Sequence, residues 1–98
     1  MAVTLGVLAL LAAKPEKDDE LASFLESGCA IAAAEPGTVT WYAFKLEDST
    51  YGIFDTFESE DARNAHVTGE IPKALAQVGP ELLAKDPEIH MVEVLAAK

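Results

Sequence analysis

The chain has a single cysteine and few basic residues, and each shortage excludes a class of function. Cys29 has no second cysteine to pair with, so no intrachain disulfide can form, which suits a reducing cytoplasm. We expect it to be a small helical hydrophobe rather than a nucleophile. Seven Lys and Arg stand against 17 Asp and Glu, a formal net charge of −10. This charge opposes binding to nucleic acid or to anionic membrane surfaces.

The chain also lacks the motifs that hold a cofactor or a metal. Its six glycines are scattered and form no nucleotide-binding fingerprint. His66 and His90 are far apart and have no cysteine or carboxylate partners at metal-ligand spacing. The sequence therefore predicts neither a bound cofactor nor a metal ion.

The long apolar run near the start is too short and too interrupted to cross a membrane, which takes about 20 apolar residues. It lacks the positively charged segment of a secretion signal, and Thr4 and Gly6 interrupt it. We therefore predict a buried strand from Val3 to Ala12 rather than a signal peptide.

Most aromatic residues fall in two runs separated by the polar turn Glu47-Asp48-Ser49. Aromatic and β-branched residues favour strands, so Thr38–Leu46 and Thr50–Glu58 are predicted to form an antiparallel hairpin. Because side chains alternate along a strand, Trp41 and Tyr42 must point to opposite faces. Both faces of the hairpin are therefore apolar.

Two helical regions flank this hairpin. The first is predicted over residues 16–34, after Pro15 and with acidic residues in its first turn. The second begins after Ser59 as N-cap and is interrupted by Gly69 and Pro72, which predicts a bent or two-piece helix. Gly79-Pro80 is predicted to start a last short turn. Ile89–Leu95 is predicted to be the final strand.

The resulting order of elements predicts an α+β, ferredoxin-like βαββαβ fold with an antiparallel sheet, as one domain over residues 1–98. All its helices lie on one face of the sheet. The other face would expose a large apolar patch, which soluble monomers rarely tolerate, so we predict a face-to-face homodimer. The residues predicted on that bare face are Leu5, Val7, Trp41 or Tyr42, Ile53 or Phe54, and Met91 or Val92.

Several segments resemble the antibiotic biosynthesis monooxygenase family of dimeric α+β barrel proteins. The resemblance is carried by the segments at 37–44, 48–57, 61–66 and 92–95, and it extends over essentially the whole chain. It implies a cavity between sheet and helices, lined by a residue of the second helix, here His66. The haem-degrading branch has an asparagine on its first strand, where this chain has Thr4 or Gly6. It also has a tryptophan at the position of His66 and a later histidine near Ala74-Leu75, so the resemblance implies a cofactor-free oxygenase instead.

Without flavin or metal, oxygen reacts only with a substrate made electron-rich by loss of a proton, which requires a base in an apolar pocket. His66 is the predicted base because its unperturbed pKa lies near neutrality. Asp55 lies mid-strand and needs a partner among Arg63, Lys45 and His66; we predict that it orients His66 or contacts a ligand. The aromatic residues predicted to bind substrate are Trp41, Tyr42 and Phe57.

Simpler structural interpretations of these residues stay open. His66 is equally well read as an ordinary helix residue, Trp41 as core or interface packing, and Asp55 as an ion-pair partner. The leading hypothesis is a cytoplasmic, cofactor-independent monooxygenase that uses molecular oxygen on a small hydrophobic, aromatic, quinol or polyketide-like molecule. Whether the protein is an enzyme stays open: the alternatives are a non-catalytic small-molecule-binding or stress-response protein, and an isomerase or decarboxylase using the same base.

Overall fold

The computed structural model describes residues 4–98. The element order follows the prediction, and the second helical region consists of two helices. Val3, the predicted first residue of the first strand, lies outside the described residues. The sheet has the order β2-β3-β1-β4 with every pair antiparallel, which confirms the ferredoxin-like α+β fold. The elements are β1 (Leu5–Ala12), α1 (Asp18–Ala33), β2 (Thr38–Lys45), β3 (Thr50–Phe57), α2 (Glu60–Val67), α3 (Glu70–Leu82) and β4 (Glu88–Glu93).

The β2–β3 hairpin closes through two residues in the left-handed region. Asp48 has φ 56° and Ser49 has φ 61°, the pattern of the turn whose twist matches that of paired strands. The backbone N–H of Ala13 donates to the Ser49 carbonyl (2.9 Å), and the Ser49 hydroxyl donates to Asp18 Oδ1 (3.1 Å). The hairpin tip is therefore fixed to the end of β1 and the start of α1.

The second helical region divides at Gly69, as predicted, but not at its prolines. Pro72 lies in the first turn of α3, where a missing N–H removes no helical hydrogen bond. The predicted new turn at Gly79-Pro80 is wrong, because α3 continues through Pro80 to Leu82. Pro80 removes one hydrogen bond near the helix end, and the buried side chains of Leu75 and Leu82 still hold that turn against the core.

The helices cover one face of the sheet, here called the helix face. Trp41 packs there against the core and against α1 at Gly28. The core also contains large side chains of β1, β3, α1 and α3. Its buried members include Val7, Leu11, Leu21, Leu25, Ile53, Phe57, Ile71, Leu75 and Leu82.

The opposite face, here called the open face, carries the alternate side chains Leu8, Leu10, Tyr42, Phe44, Phe54 and Val92. The prediction of Leu5 and Val7 on this face is wrong. Val7 is buried and lies opposite Asp55, and Leu5 lies opposite the buried Phe57, so both belong to the helix face. The error has a simple cause: with a side-chain period of two, a shift of one residue moves a whole strand's pattern to the other face.

Two smaller observations concern the surface. Cys29 lies in α1 as expected, but it is exposed rather than packed. Within residues 4–98, no helix combines the length and the apolar character needed to cross a membrane.

Candidate functional site

A small cavity of about 130 Å³ lies between the helix face of the sheet and helices α2 and α3. Its walls are almost entirely apolar, and two ionisable side chains reach them, Asp55 and His66. The apolar lining is contributed by Val7, Ala9, Ile53, Val67, Ile71, Pro72, Leu75 and Ile89.

Both ionisable residues are placed by regular structure. Asp55 lies in the middle of β3, between β1 and β2, and is only 2% exposed. His66 lies in the last turn of α2, and its side chain is 7% exposed. Helix α2 begins at Ser59, whose hydroxyl accepts a hydrogen bond from the Ala62 N–H (3.1 Å), an N-cap that matches the sequence prediction.

His66 lies between two carboxylates. Its Nε2 is 2.9 Å from Asp55 Oδ2, and its Nδ1 is 2.7 Å from Glu35 Oε1. Glu35 comes from the connection between α1 and β2, and its Oε1 also accepts a hydrogen bond from the Thr38 hydroxyl (2.7 Å). The fully buried ring of Phe57 packs beside the imidazole, with ring centroids 5.1 Å apart. We call Glu35, His66 and Asp55 the histidine triad; His66 and Asp55 are buried, whereas the Glu35 side chain is 23% exposed.

The protonation of this triad follows from its geometry. A neutral imidazole donates through only one nitrogen, and an ionised carboxylate only accepts, so two carboxylate contacts suit an imidazolium. Burial of the ring opposes that charged form, but the hydrogen bonds and charges of Asp55 and Glu35 outweigh it and raise the pKa of His66 above its usual 6.5. The geometry therefore favours the imidazolium form of His66, with both nitrogens engaged.

The free polar atom of the site belongs to Asp55. Its Oδ1 is buried and has no hydrogen-bond partner, whereas Oδ2 contacts His66. An unpaired buried carboxylate oxygen beside an apolar cavity can accept a proton or a hydrogen bond from a ligand. The chemistry available to this cavity is therefore proton abstraction by Asp55, with His66 positioning the carboxylate.

The structure brings together only part of the predicted site. Asp55 and His66 meet at the cavity, and Trp41 lies directly opposite Asp55 in the β2–β3 ladder without forming part of the cavity lining. Phe57 packs against the ring of His66 but does not line the cavity. Tyr42 is 60% exposed on the open face, so it cannot share a substrate with Asp55, because the sheet separates them.

Of the three partners considered for Asp55, His66 is the one in contact. Arg63 instead reaches the Gly6 carbonyl (3.5 Å), and the Lys45 ammonium lies over the Tyr51 ring at 5.6 Å. Among residues 4–98, no group of three or more His, Cys, Asp and Glu side chains is arranged to hold a metal ion.

Glu35 is the functional residue that sequence reasoning missed. In the sequence it directly follows the first predicted helix, where Pro36 and Gly37 end the helical pattern. A usable signal was present, because an acidic residue at the carboxyl end of a helix is unfavourable against the helix dipole. A carboxylate in this position is expected to contact a cationic side chain from another part of the fold, and here it contacts His66.

Comparison with solved structures identifies the class of fold. A candidate antibiotic biosynthesis monooxygenase from Caulobacter crescentus is 26% identical, with a TM-score of 0.81 over 96% of this chain and 92% of that one. Another, from Nitrosomonas europaea, shares the fold at 9% identity, with a TM-score of 0.83 over 97% and 93% of the two chains. The chain shares the fold of these candidate antibiotic biosynthesis monooxygenases, in agreement with the sequence resemblance.

Within that class, this chain is similar to the NE2512 protein of Nitrosomonas europaea, a protein of unknown function. The two are 44% identical, with a TM-score of 0.95 over 98% of this chain and 93% of the other. No protein-family model matches the sequence, and no curated protein matches it either.

Proposed function

We propose that this protein is a cofactor-independent monooxygenase that acts on a small quinol, with Asp55 as the proton acceptor. One observation carries the proposal: Asp55 Oδ1 is buried and unpartnered at the wall of an apolar cavity. His66, which contacts both Asp55 and Glu35, lies beside Asp55 without occupying its second oxygen. The shared fold supports this reaction class, since the similar Caulobacter protein is a candidate antibiotic biosynthesis monooxygenase.

The proposed reaction needs no oxidant other than molecular oxygen. Asp55 takes the proton of a ring hydroxyl, and the resulting anion passes one electron to oxygen. Superoxide and the ring radical then couple, which forms a carbon–oxygen bond, and the peroxide takes up the proton from Asp55. The oxygen–oxygen bond breaks as water leaves with the ring-carbon proton. One hydroquinone and one oxygen molecule give one hydroxyquinone and one water.

The size of the cavity supports a substrate with a single ring. A dry cavity of about 150 Å³ in another protein accepts benzene, and the cavity here is about 130 Å³. The apolar lining favours the ring, whereas Asp55 requires a group with a proton to donate. A hydroquinone satisfies both requirements, while a larger polyketide would need the cavity to expand.

The open face supports a homodimer as part of the same proposal. Tyr42 is 60% exposed there, on the same face as apolar side chains of the other three strands. A second copy packed face to face would cover these side chains and close the barrel. Sedimentation velocity over a dilution series is expected to give a dimer; a stable monomer at high dilution would contradict the barrel. A cytoplasmic location belongs to the same proposal and rests on the single cysteine.

Oxygen uptake with hydroquinone tests the catalytic claim directly. The wild-type protein is expected to consume oxygen and form hydroxyquinone in equal amounts. Asp55→Asn keeps the side-chain shape but removes the base, so we expect the rate to fall about 10²–10⁴-fold. Glu88→Gln is the matched control, because it neutralises an exposed carboxylate that also contacts a histidine. Equal rates for Asp55→Asn and wild type would refute Asp55 as the base.

The leading alternative is a protein that binds the same ligand without turnover. It is favoured by the engagement of both His66 nitrogens, which leaves no second acid or base free at the cavity. Hydroquinone binding without oxygen uptake above that of the buffer would establish this alternative. Product formation under argon would instead indicate an isomerase or a decarboxylase.

A further inference from the structure

Two buried side-chain polar atoms in residues 4–98 lack a hydrogen-bond partner, and they belong to adjacent residues of the sheet. They are Trp41 Nε1 and Asp55 Oδ1. Trp41 and Asp55 lie directly opposite each other in the β2–β3 ladder. Opposite residues of an antiparallel pair point to the same face, with Cβ atoms about 4.5–5.5 Å apart. The two unsatisfied groups are therefore neighbours on the helix face.

These two atoms have complementary requirements. The indole Nε1–H can only donate a hydrogen bond, and an ionised carboxylate oxygen can only accept one. They do not bond to each other, since both are unpartnered. A group placed between them must accept from Trp41 and donate to Asp55. A hydroxyl does both, whereas a carbonyl cannot donate and an ammonium cannot accept.

The indole packs closely against α1. A Cβ at position 28 would lie 3.2 Å from the indole atoms Cζ2 and Cη2, so a larger residue there would require the ring to shift. The same Cβ would be 4.0 Å from Ile71 Cδ1, and Ile71 lines the cavity. Trp41 thus packs on α1 at Gly28 and lies opposite Asp55, a residue of the cavity wall.

We propose that Trp41 and Asp55 form a subsite for the hydroxyl group of a small aromatic ring that occupies the cavity. The indole Nε1–H donates to the hydroxyl oxygen, and the hydroxyl donates to Asp55 Oδ1. This deepens the proposed function, on which it rests for the use of the cavity, by naming the group that the ligand must carry. The hydrogen bond to Asp55 is also the one along which the proposed proton transfer would run.

Phenol and toluene test the subsite because they differ in a hydroxyl against a methyl group of similar size. Trp41 is the only tryptophan, so its indole N–H gives a single signal in a nitrogen-15 correlation spectrum. Under argon, phenol is expected to shift this proton downfield with saturation, and to bind at least about tenfold more tightly than toluene. Equal affinities, or equal indole shifts with the two ligands, would overturn the subsite and leave a bound water as the partner of both atoms.

Variants assign the preference to the two residues. Trp41→Phe removes the donor but keeps a ring, so phenol binding is expected to weaken about five- to tenfold while toluene binding is unchanged. Tyr42→Phe is the control, since it removes a hydroxyl on the opposite face and should change neither affinity. A Trp41→Phe protein that retains the full phenol preference contradicts the subsite. If this variant does not fold, the wild-type indole shift decides alone.

The outcomes separate this inference from the proposed reaction. Because the titrations are done without oxygen and with phenol, they require no turnover. Phenol selectivity without oxygen uptake on hydroquinone would sustain the subsite and remove the oxygenase proposal. Oxygen uptake without phenol selectivity would do the reverse.

Discussion

The two histidines of this chain both contact carboxylates, yet their surroundings differ completely. His90 lies on β4 with its Nε2 2.7 Å from Glu88 Oε2, and both side chains are about half exposed, at 50% and 54%. His66 makes contacts of similar length to Glu35 and Asp55, but its side chain is 7% exposed. Distance alone therefore does not distinguish the two sites.

The two sites differ in whether solvent or neighbouring side chains stabilise their charges. Around His90, solvent screens the charges, and the visible effect is that the hydrogen bond from His90 lowers the pKa of Glu88. Around His66, whose side chain is 7% exposed, little solvent is available to stabilise the buried Asp55 carboxylate if it loses its partner. The charges of the histidine triad are therefore balanced by one another more than by water. Variants of the two histidines and of their partners test this contrast.

The largest effect is expected for His66→Leu. This change leaves the carboxylates of Asp55 and Glu35 without the cation between them, and removing one member of a buried ion pair costs about 3–5 kcal/mol. Urea unfolding at neutral pH measures the loss in the free energy of unfolding. His90→Leu is the matched control and should leave the urea midpoint unchanged. Similar losses in the two variants would show that burial does not separate the sites.

A smaller effect is expected for Glu35→Gln. The amide can still contact His66, but it removes one of the two charges that stabilise the imidazolium, so we expect a loss of about 1–3 kcal/mol. The pKa of His66 should also fall, which proton NMR of the imidazole measures. Glu88→Gln should leave the pKa of His66 where it is. An unchanged His66 pKa in Glu35→Gln would mean that Asp55 alone sets it.

The pH dependence of stability should be specific to His66. Because its pKa is raised in the folded state, its stabilising contribution is complete below about pH 6.5 and is lost as pH rises through the folded pKa. The loss is about 1.4 kcal/mol for each unit by which folding raises that pKa. Urea midpoints from about pH 6 to about pH 9 measure this slope. His90→Leu should retain it, and a His66→Leu protein with the same slope would contradict the assignment.

The smallest of these effects is expected for Ser59→Ala. Loss of the N-cap leaves an N–H of α2 unsatisfied and should cost about 1 kcal/mol in the free energy of unfolding. His90, on a strand, has no such dependence. The control is Ser27→Ala, since the Ser27 hydroxyl only donates to the Phe24 carbonyl on the exposed side of α1. Equal costs for the two serine variants would show that the cap does not support the site.

The sequence predicts the sheet better than it predicts the site. The hairpin strands end within one residue of their predicted bounds, because aromatic alternation and the Glu47-Asp48-Ser49 turn are local signals. Alternation also places Trp41 and Tyr42 on opposite faces. It does not say which face the helices cover, and for that reason Leu5 and Val7 were predicted on the wrong side.

The partners of His66 depend on contacts that local patterns do not encode. Asp55 was considered because a carboxylate in the middle of a buried strand needs a partner. Glu35 was not, because 31 residues and a whole hairpin separate it from His66. The pKa of His66 is raised because the hydrogen bonds and charges of Asp55 and Glu35 outweigh the burial of the ring, and these contacts are not visible in the sequence around His66.

The short link from α1 into β2 has a role that its surface position conceals. Glu35 belongs to the first strand–helix–strand half of the chain, whereas Asp55 and His66 belong to the second. The contact between Glu35 and His66 therefore joins the two halves. It does so through a connecting segment whose length and sequence would otherwise be unconstrained. Most surface links tolerate extra residues. This one has little such freedom, since lengthening it would carry Glu35 away and leave His66 with Asp55 alone as its carboxylate partner.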